Sequence, residues 1–198
     1  MFLQNKFFPK LNIYDQFGYL LVGGVSFLVL IFNLYLLAKL DLVPVFNTQT
    51  LIAWILAAYC LGHLLQAFAN FFIKEKKSQF TESEKEILKR VNNHFKLKNQ
   101  SSSQLFTICY MLASAKDITG HVKSFNAYYG LYRGWSIIFF LNAPFFLFLV
   151  VENYFNYFYL IFFFSSVLLG LLFLQRSQRF YKYLRTKTLQ TFLLLTKI

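Results

Sequence analysis

Hydrophobic and polar residues are segregated into long blocks along this chain. Four blocks without a charged residue cover residues 17–37, 51–73, 135–151 and 157–174. A helix rises about 1.5 Å per residue, so roughly 20 residues cross the hydrocarbon core of a bilayer, which is about 30 Å thick. The pattern therefore predicts an all-α integral membrane protein with four transmembrane helices.

The polar stretches divide the chain into membrane and soluble parts. The longest of them, between the second and third blocks, holds 11 Lys or Arg residues against five Asp or Glu. Because it is too short to bury a large core alone, we expect it to pack on the inner ends of the helices, on the basic tail or on another copy. The predicted parts are an N-terminal transmembrane hairpin over residues 1–73, a basic helical cytoplasmic insert over 74–133, a C-terminal transmembrane hairpin over 134–174 and a basic cytoplasmic tail over 175–198.

Two helices are predicted inside the insert. Thr81, followed three residues later by Glu84, fits a capping box and predicts a helix over residues 82–98. Ser101 is a candidate cap for a second helix that reaches about residue 115.

The approach to the third hydrophobic block contains two glycines, Gly120 and Gly130. We expect both to interrupt the chain, and the third span to cover residues 135–151 unless it begins nearer Tyr128. Pro144 lies inside this span and is expected to bend it, because proline cannot donate a backbone hydrogen bond.

Composition and charge agree with a membrane location and predict an orientation. The chain is 57% hydrophobic and 14% charged, whereas about 25% of the residues of a soluble domain are charged. If both termini and the insert face the cytoplasm, 19 of the 20 basic residues lie inside and Lys39 alone lies outside. By the positive-inside rule we predict cytoplasmic N and C termini.

The basic insert and tail also suggest anionic partners. Lipids of the inner leaflet attract Lys and Arg residues near a membrane surface, and the phosphates of RNA or DNA attract the same side chains. Both partners stay open here. The candidate contacts are Lys74, Lys76, Lys77, Arg176, Arg179, Lys182 and Arg185.

The second block carries one stripe of polar residues. Tyr59, His63, Gln66 and Asn70 follow one another at offsets of four, three and four, so they share one face of a helix. We expect His63 to be buried near the middle of the membrane, where ionisable groups are costly and often functional. It is either part of a proton relay, a pore lining or a polar gate, or a neutral imidazole that bonds to a neighbouring helix.

The first block has a comparable face of small and polar residues. Gly23, Ser26 and Asn33 recur at offsets of three and seven. Small side chains let helix backbones approach in a membrane, and polar ones find partners across the contact. This face is therefore predicted to pack against other helices or to line a pore.

The sequence contains no recognisable catalytic constellation. It has three histidines and two cysteines, without a paired metal-ligand motif, a phosphate-binding loop or a nucleophile elbow. We therefore expect a protein that is not an enzyme, with no cofactor and no metal site.

Two short motifs provide a resemblance. Residues 14–24, YDQFGYLLVGG, and the pair Gly62-His63 resemble small four-span membrane proteins encoded beside bacterial antiviral systems, with Val22 where those proteins have proline. The nearest is the membrane accessory protein of type VI-B CRISPR loci. The resemblance implies a non-enzymatic accessory or effector protein of the bacterial inner membrane, which acts as a homo-oligomer and perturbs the membrane or forms a pore. The alternative is a small channel or transporter subunit unrelated to defence.

Overall fold

The computed structural model describes residues 15–38, 48–73, 80–96, 100–153 and 156–196, which are mostly helical and contain no strand. Helix α1 begins with a π-helical segment, Asp15–Leu21, and continues as Val22–Ala38. The other helices are α2 (Thr48–Phe72), α3 (Glu82–Phe95), α4 (Ser102–Lys116), α5 (His121–Glu152) and α6 (Tyr157–Thr196).

Four of these helices are long and apolar enough to cross a membrane, namely α1, α2, α5 and α6. This confirms the prediction of an all-helical chain with four candidate spans, as expected for a multi-pass membrane protein. The last two helices extend well beyond the hydrophobic blocks, because α5 begins at His121 and α6 continues to Thr196.

The prediction that Gly130 interrupts the chain is wrong. Gly130 lies buried inside α5, whereas Gly120 precedes the helix with a positive φ of 69°. A glycine inside a helix costs about 1 kcal/mol relative to alanine. Burial and contacts with neighbouring helices offset a penalty of this size.

The chain divides into two compact units, one made of residues 1–73 and 127–178 and the other of residues 74–126 and 179–198. In the first unit a cluster of buried apolar side chains joins α1, α2 and α5, and its members include Val22, Leu65, Leu131 and Ile138. Ser136 of α5 donates a hydrogen bond to the carbonyl of Gly170 on α6 at 2.9 Å and thereby links these two helices.

Helices α1 and α2 approach each other at glycines. A Cβ at Gly23 would collide with the carbonyl of Ala58, and one at Gly62 would collide with the backbone of Tyr19. By contrast, a Cβ at Gly24 would meet no other atom within 4 Å. The close contact between these two helices therefore depends on particular glycines.

The second unit contains α3, α4, the first turns of α5 and the last part of α6. Reciprocal hydrogen bonds between Thr81 and Glu84 confirm the predicted capping box, and Ser101 caps α4 in the same way. Helix α3 ends at Phe95, earlier than predicted, because Lys96 adopts a left-handed conformation with φ of 50°.

The core of the second unit joins the predicted insert to the predicted tail. Leu88 of α3 and Cys109 of α4 pack in one cluster with Leu189 and Phe192 of α6. Of the three packing partners expected for the insert, the structure thus shows the basic tail. The end of α6 is amphipathic, and its apolar side completes this core.

Candidate functional site

The polar stripe of α2 is divided in the structure between buried and exposed positions. Gln66 is 4% exposed, Tyr59 is half-buried, and His63 and Asn70 are exposed. Within the chain itself His63 is therefore not buried, whereas its position near the middle of a membrane stays a prediction. Its imidazole stacks on the ring of Tyr19, with centroids 3.7 Å apart, and meets the edge of the Tyr59 ring at 4.6 Å.

Gln66 forms hydrogen bonds with three groups. Its Nε2 donates to the carbonyls of Gly18 and Gly130, at 2.9 and 2.6 Å. Its Oε1 accepts from Nη2 of Arg133 at 2.9 Å. One side chain of α2 thereby binds the backbones of α1 and α5 and a cation on α5.

Arg133 is the most distinctive polar residue that the sequence analysis missed. It is 7% exposed, donates from Nη1 to the hydroxyl of Tyr129 at 3.0 Å, and lies with its guanidinium 4.9 Å from the centroid of that ring. The sequence analysis assigned it to the soluble insert because it precedes the third hydrophobic block. The usable signal was its spacing, since Tyr129, Arg133 and Ser136 recur at helical intervals.

The start of α1 supports the Gln66 site. Gly18 is buried within the π-helical segment and presents its carbonyl to Gln66. The next residue, Tyr19, lies with its backbone against Gly62, where no side chain fits. π-Helical segments are rare and occur frequently at functional sites.

A second polar contact joins three helices of the same unit. Nδ2 of Asn33 on α1 donates to Oδ1 of Asn142 on α5 at 2.7 Å. Nδ2 of Asn142 then donates to the hydroxyl of Ser166 on α6 at 3.3 Å. The other amide atom, Oδ1 of Asn33, is buried and has no hydrogen-bond partner among the described residues.

A cavity of about 150 Å³ lies beside this amide pair. Its walls include Asn33, Asn142 and Ser26 together with apolar residues such as Leu65 and Ile138. Of the predicted first-helix residues, Ser26 and Asn33 thus line a cavity, whereas Gly23 lies in the contact with α2.

The predicted basic contacts have different environments. Lys74, Lys76 and Lys77 lie outside the described residues. Arg176, in the first unit, is exposed and lies 5.6 Å from the ring centroid of Tyr132. Arg179 and Lys182, in the second unit, are also exposed.

Arg185 is buried and therefore does not belong to the exposed basic residues. Its Nη2 lies 3.3 Å from Oε2 of Glu84, and both side chains are about one-tenth exposed or less. The guanidinium also lies 5.2 Å from the ring centroid of Phe80 and 5.5 Å from that of Tyr181. The Arg185 cation and the Glu84 carboxylate thus lie together in the interior of the second unit.

The described residues offer no evident centre for covalent or metal chemistry. No group of three or more His, Cys, Asp or Glu residues could hold a metal ion among them. Burial raises the pKa of the Cys109 thiol to about 11, so that this cysteine is protonated and unreactive at neutral pH.

Comparisons with protein-family models, with curated proteins and with solved structures each find no match. A function can therefore be inferred only from the geometry of this chain and from the resemblance of residues 14–24 and Gly62-His63.

Proposed function

We propose that this chain is a non-enzymatic accessory or effector protein of bacterial antiviral defence, which assembles as a homo-oligomer in the inner membrane and perturbs the membrane or forms a pore. The observation that carries the assembly is the outward position of His63 and Asn70 on α2. The antiviral role is supported by the resemblance of residues 14–24 and of Gly62-His63, and the basic insert and tail would receive a cytoplasmic defence protein or RNA.

The outward polar residues favour a second protein surface over lipid. His63 and Asn70 are seven residues apart, so they lie on nearly the same side of a candidate membrane span. Imidazole and amide groups that face hydrocarbon lose their hydrogen bonds to water without replacement. A second copy of α2 would supply polar partners for both residues.

The same side of α2 has a shape suited to close helix contact. Cys60 and Ala67 are exposed and, like His63 and Asn70, are separated by seven residues. Small residues at such positions let two helices approach in a membrane. Gln66 is not available to a partner in the same way, because its amide is already bonded within the unit.

Oxidative cross-linking through the native Cys60 tests the assembly directly. Cys60 is exposed, whereas the only other cysteine, Cys109, is buried and unreactive. We expect a disulfide-linked dimer of the membrane-embedded protein, and its loss in Cys60→Ser. The control is Phe164→Cys in the Cys60→Ser background, which places a thiol on an exposed position of α6. Equal cross-linking at both positions would indicate random collision and would contradict the proposed interface.

Ion leak tests the effect on the membrane. In cells expressing the protein we expect depolarisation, and its loss in His63→Leu at an unchanged protein level. Leu64→Ala, at an exposed neighbouring position, is the matched control and should retain the leak. Equal depolarisation by wild type and His63→Leu would remove His63 from the mechanism. A normal plating efficiency of phage on the strains that express either protein would argue against a role in defence.

The orientation is part of the same proposal and follows from the distribution of basic residues. With N and C termini in the cytoplasm, the end of α5 at Glu152 faces the outside. In a Cys60→Ser background, Glu152→Cys should react with a membrane-impermeant maleimide added to intact cells. Reaction only after the cells are opened would contradict this topology.

The cavity beside Asn33 and Asn142 favours a second candidate, a small channel or transporter subunit. The amide groups of Asn33 and Asn142 line it in a unit made of candidate spans, and polar groups within spans often mark a permeation path. Asn142→Leu distinguishes the two candidates. It should abolish transport in a subunit that conducts through this cavity, but it should leave an α2-mediated leak intact.

A further inference from the structure

The outward side of α6 in the second unit carries three basic residues, Arg179, Lys182 and Lys187. All three are exposed, and no ion pair involves them in the part of the chain that the structure describes. The opposite side of the helix is buried at Leu184 and Thr188. The three cations lie on the exposed side of α6 and spread over about 140° of it, because Lys182 and Lys187 are five residues apart. We call this exposed side the α6 basic face.

Aromatic rings adjoin the α6 basic face. Tyr183 is 51% exposed, and its ring centroid lies 6.0 Å from that of Phe180 and 5.9 Å from that of Phe125 on α5. The exposed His121 stacks on Phe125 at 6.1 Å. Cations beside an amphipathic tyrosine are typical of protein surfaces at the membrane interface.

Few acidic groups oppose these cations. The second unit holds 15 of the 20 basic residues of the chain and five of the eight acidic ones. Glu84 pairs with the buried Arg185, and the exposed Glu82 and Glu86 pair with basic neighbours on their own helix. The potential near the α6 basic face is therefore positive and attracts anions.

The position of the basic residues along α6 favours lipid headgroups over nucleic acid as the anion that they bind. Helix α6 is continuous, so Arg179 follows only five residues after Leu174, the last residue of a hydrophobic block. At about 1.5 Å per residue, Arg179 lies about 8 Å beyond the block, at the depth of the lipid headgroups. Lys182 and Lys187 follow at about 12 and 20 Å along the helix, where the attraction of an anionic surface is weaker. Single-stranded RNA instead favours several open rings in succession, and Phe125 and Phe180 are partly covered.

We propose that the α6 basic face binds the phosphate headgroups of anionic lipids. This proposal depends on the membrane location but not on the oligomer, since the binding can be measured on detergent-solubilised protein of any assembly state. Failure of lipid binding would therefore leave the Cys60 result unaffected, and the reverse also holds.

Calorimetric titration with dioctanoyl-phosphatidylglycerol tests the proposal on the full chain. We expect the triple variant Arg179→Gln, Lys182→Gln, Lys187→Gln to bind at least about tenfold more weakly than wild type, since each cation near an anionic surface contributes up to about 1 kcal/mol. Zwitterionic dioctanoyl-phosphatidylcholine should bind neither protein measurably.

The matched control is Lys89→Gln, Lys96→Gln, Lys116→Gln, which removes the same charge from exposed positions of the second unit away from α6. It should lose less than threefold. Lys182→Gln alone provides a milder test and should bind about fivefold more weakly. Equal binding of phosphatidylglycerol by the triple variant and the control would overturn the proposal. Binding of single-stranded RNA by the wild-type protein without binding of phosphatidylglycerol would also overturn it.

Discussion

Each unit of this molecule buries one arginine, and the two are held in different ways. Arg185 in the second unit faces the carboxylate of Glu84, whereas Arg133 in the first unit donates to the amide of Gln66 and the phenol of Tyr129. The first arrangement is the ion pair of a soluble core. The second uses neutral dipoles that also bind helix backbones, which suits a bundle in which polar groups join helices.

The two units are stabilised by different kinds of interaction. In the second unit, capping boxes and an amphipathic helix end act as they do in water. In the first unit, contacts at glycine and hydrogen bonds from buried amides hold the helices together. A substitution that removes one kind of interaction should therefore destabilise its own unit and have little effect on the stability of the other.

The largest effect is expected from Glu84→Gln. Glutamine can still complete the cap of α3, but the Arg185 cation loses its buried counter-charge, which costs about 3–5 kcal/mol. Hydrogen exchange of the α3 amides in detergent-solubilised protein would measure the loss. Glu82→Gln is the control, because the Glu82 and Lys85 side chains are 90% and 49% exposed and such pairs contribute little. Equal losses in both variants would contradict the role of the buried pair.

Gln66→Leu should cause the next largest loss. It removes the donor to the carbonyls of Gly18 and Gly130 and the acceptor for Arg133, at a cost of about 2–3 kcal/mol. Arg133→Met should cost less once Gln66 has been replaced, since the two side chains share a hydrogen bond. Unfolding in mixed detergent micelles would measure the free energy of unfolding of Gln66→Leu, of Arg133→Met and of the double variant. Strictly additive losses would show that the two residues act independently.

Gly23→Ala should be destabilising, and Gly24→Ala should not. The Cβ at residue 23 would collide with the Ala58 carbonyl, while the one at residue 24 meets open space. Overpacking costs about 1–3 kcal/mol and the better helix propensity of alanine returns up to about 1 kcal/mol. Separation of α1 and α2, measured by energy transfer between labels on the two helices, should increase only in the first variant.

The sequence predicted the second unit's caps correctly because capping depends on residues three apart. Thr81 and Glu84 contain the whole signal locally. The four candidate spans were also predictable, since length and apolarity are properties of a continuous segment. Neither property requires knowledge of which helices are neighbours.

The burial of the polar residues was not predictable in the same way. Helical spacing placed His63 and Gln66 on one face, but the position of α1 decides which of them is covered. The charge of Arg133 and its place before the third hydrophobic block predict a residue of the helical insert, whereas the structure buries it inside α5. The low helix propensity of Gly130 predicts an interruption, because a local pattern does not reveal its hydrogen bond with Gln66.

The smallest effect concerns the turn before α5. Partial burial raises the pKa of Asp117, but hydrogen bonds from the Thr119 side chain and from the backbone N–H groups of Val122, Thr119 and Gly120 outweigh it, so the net pKa is lowered. Ionised Asp117 therefore stabilises the second unit fully above its unfolded pKa, about 3.9, and this contribution is lost as pH falls through the lower folded pKa. Asp117→Asn should unfold more easily than wild type at pH 6 and equally in strong acid. A difference that grows on acidification would require the opposite shift of the pKa, and Gln66→Leu, which changes no carboxylate, should show no such pH dependence relative to wild type.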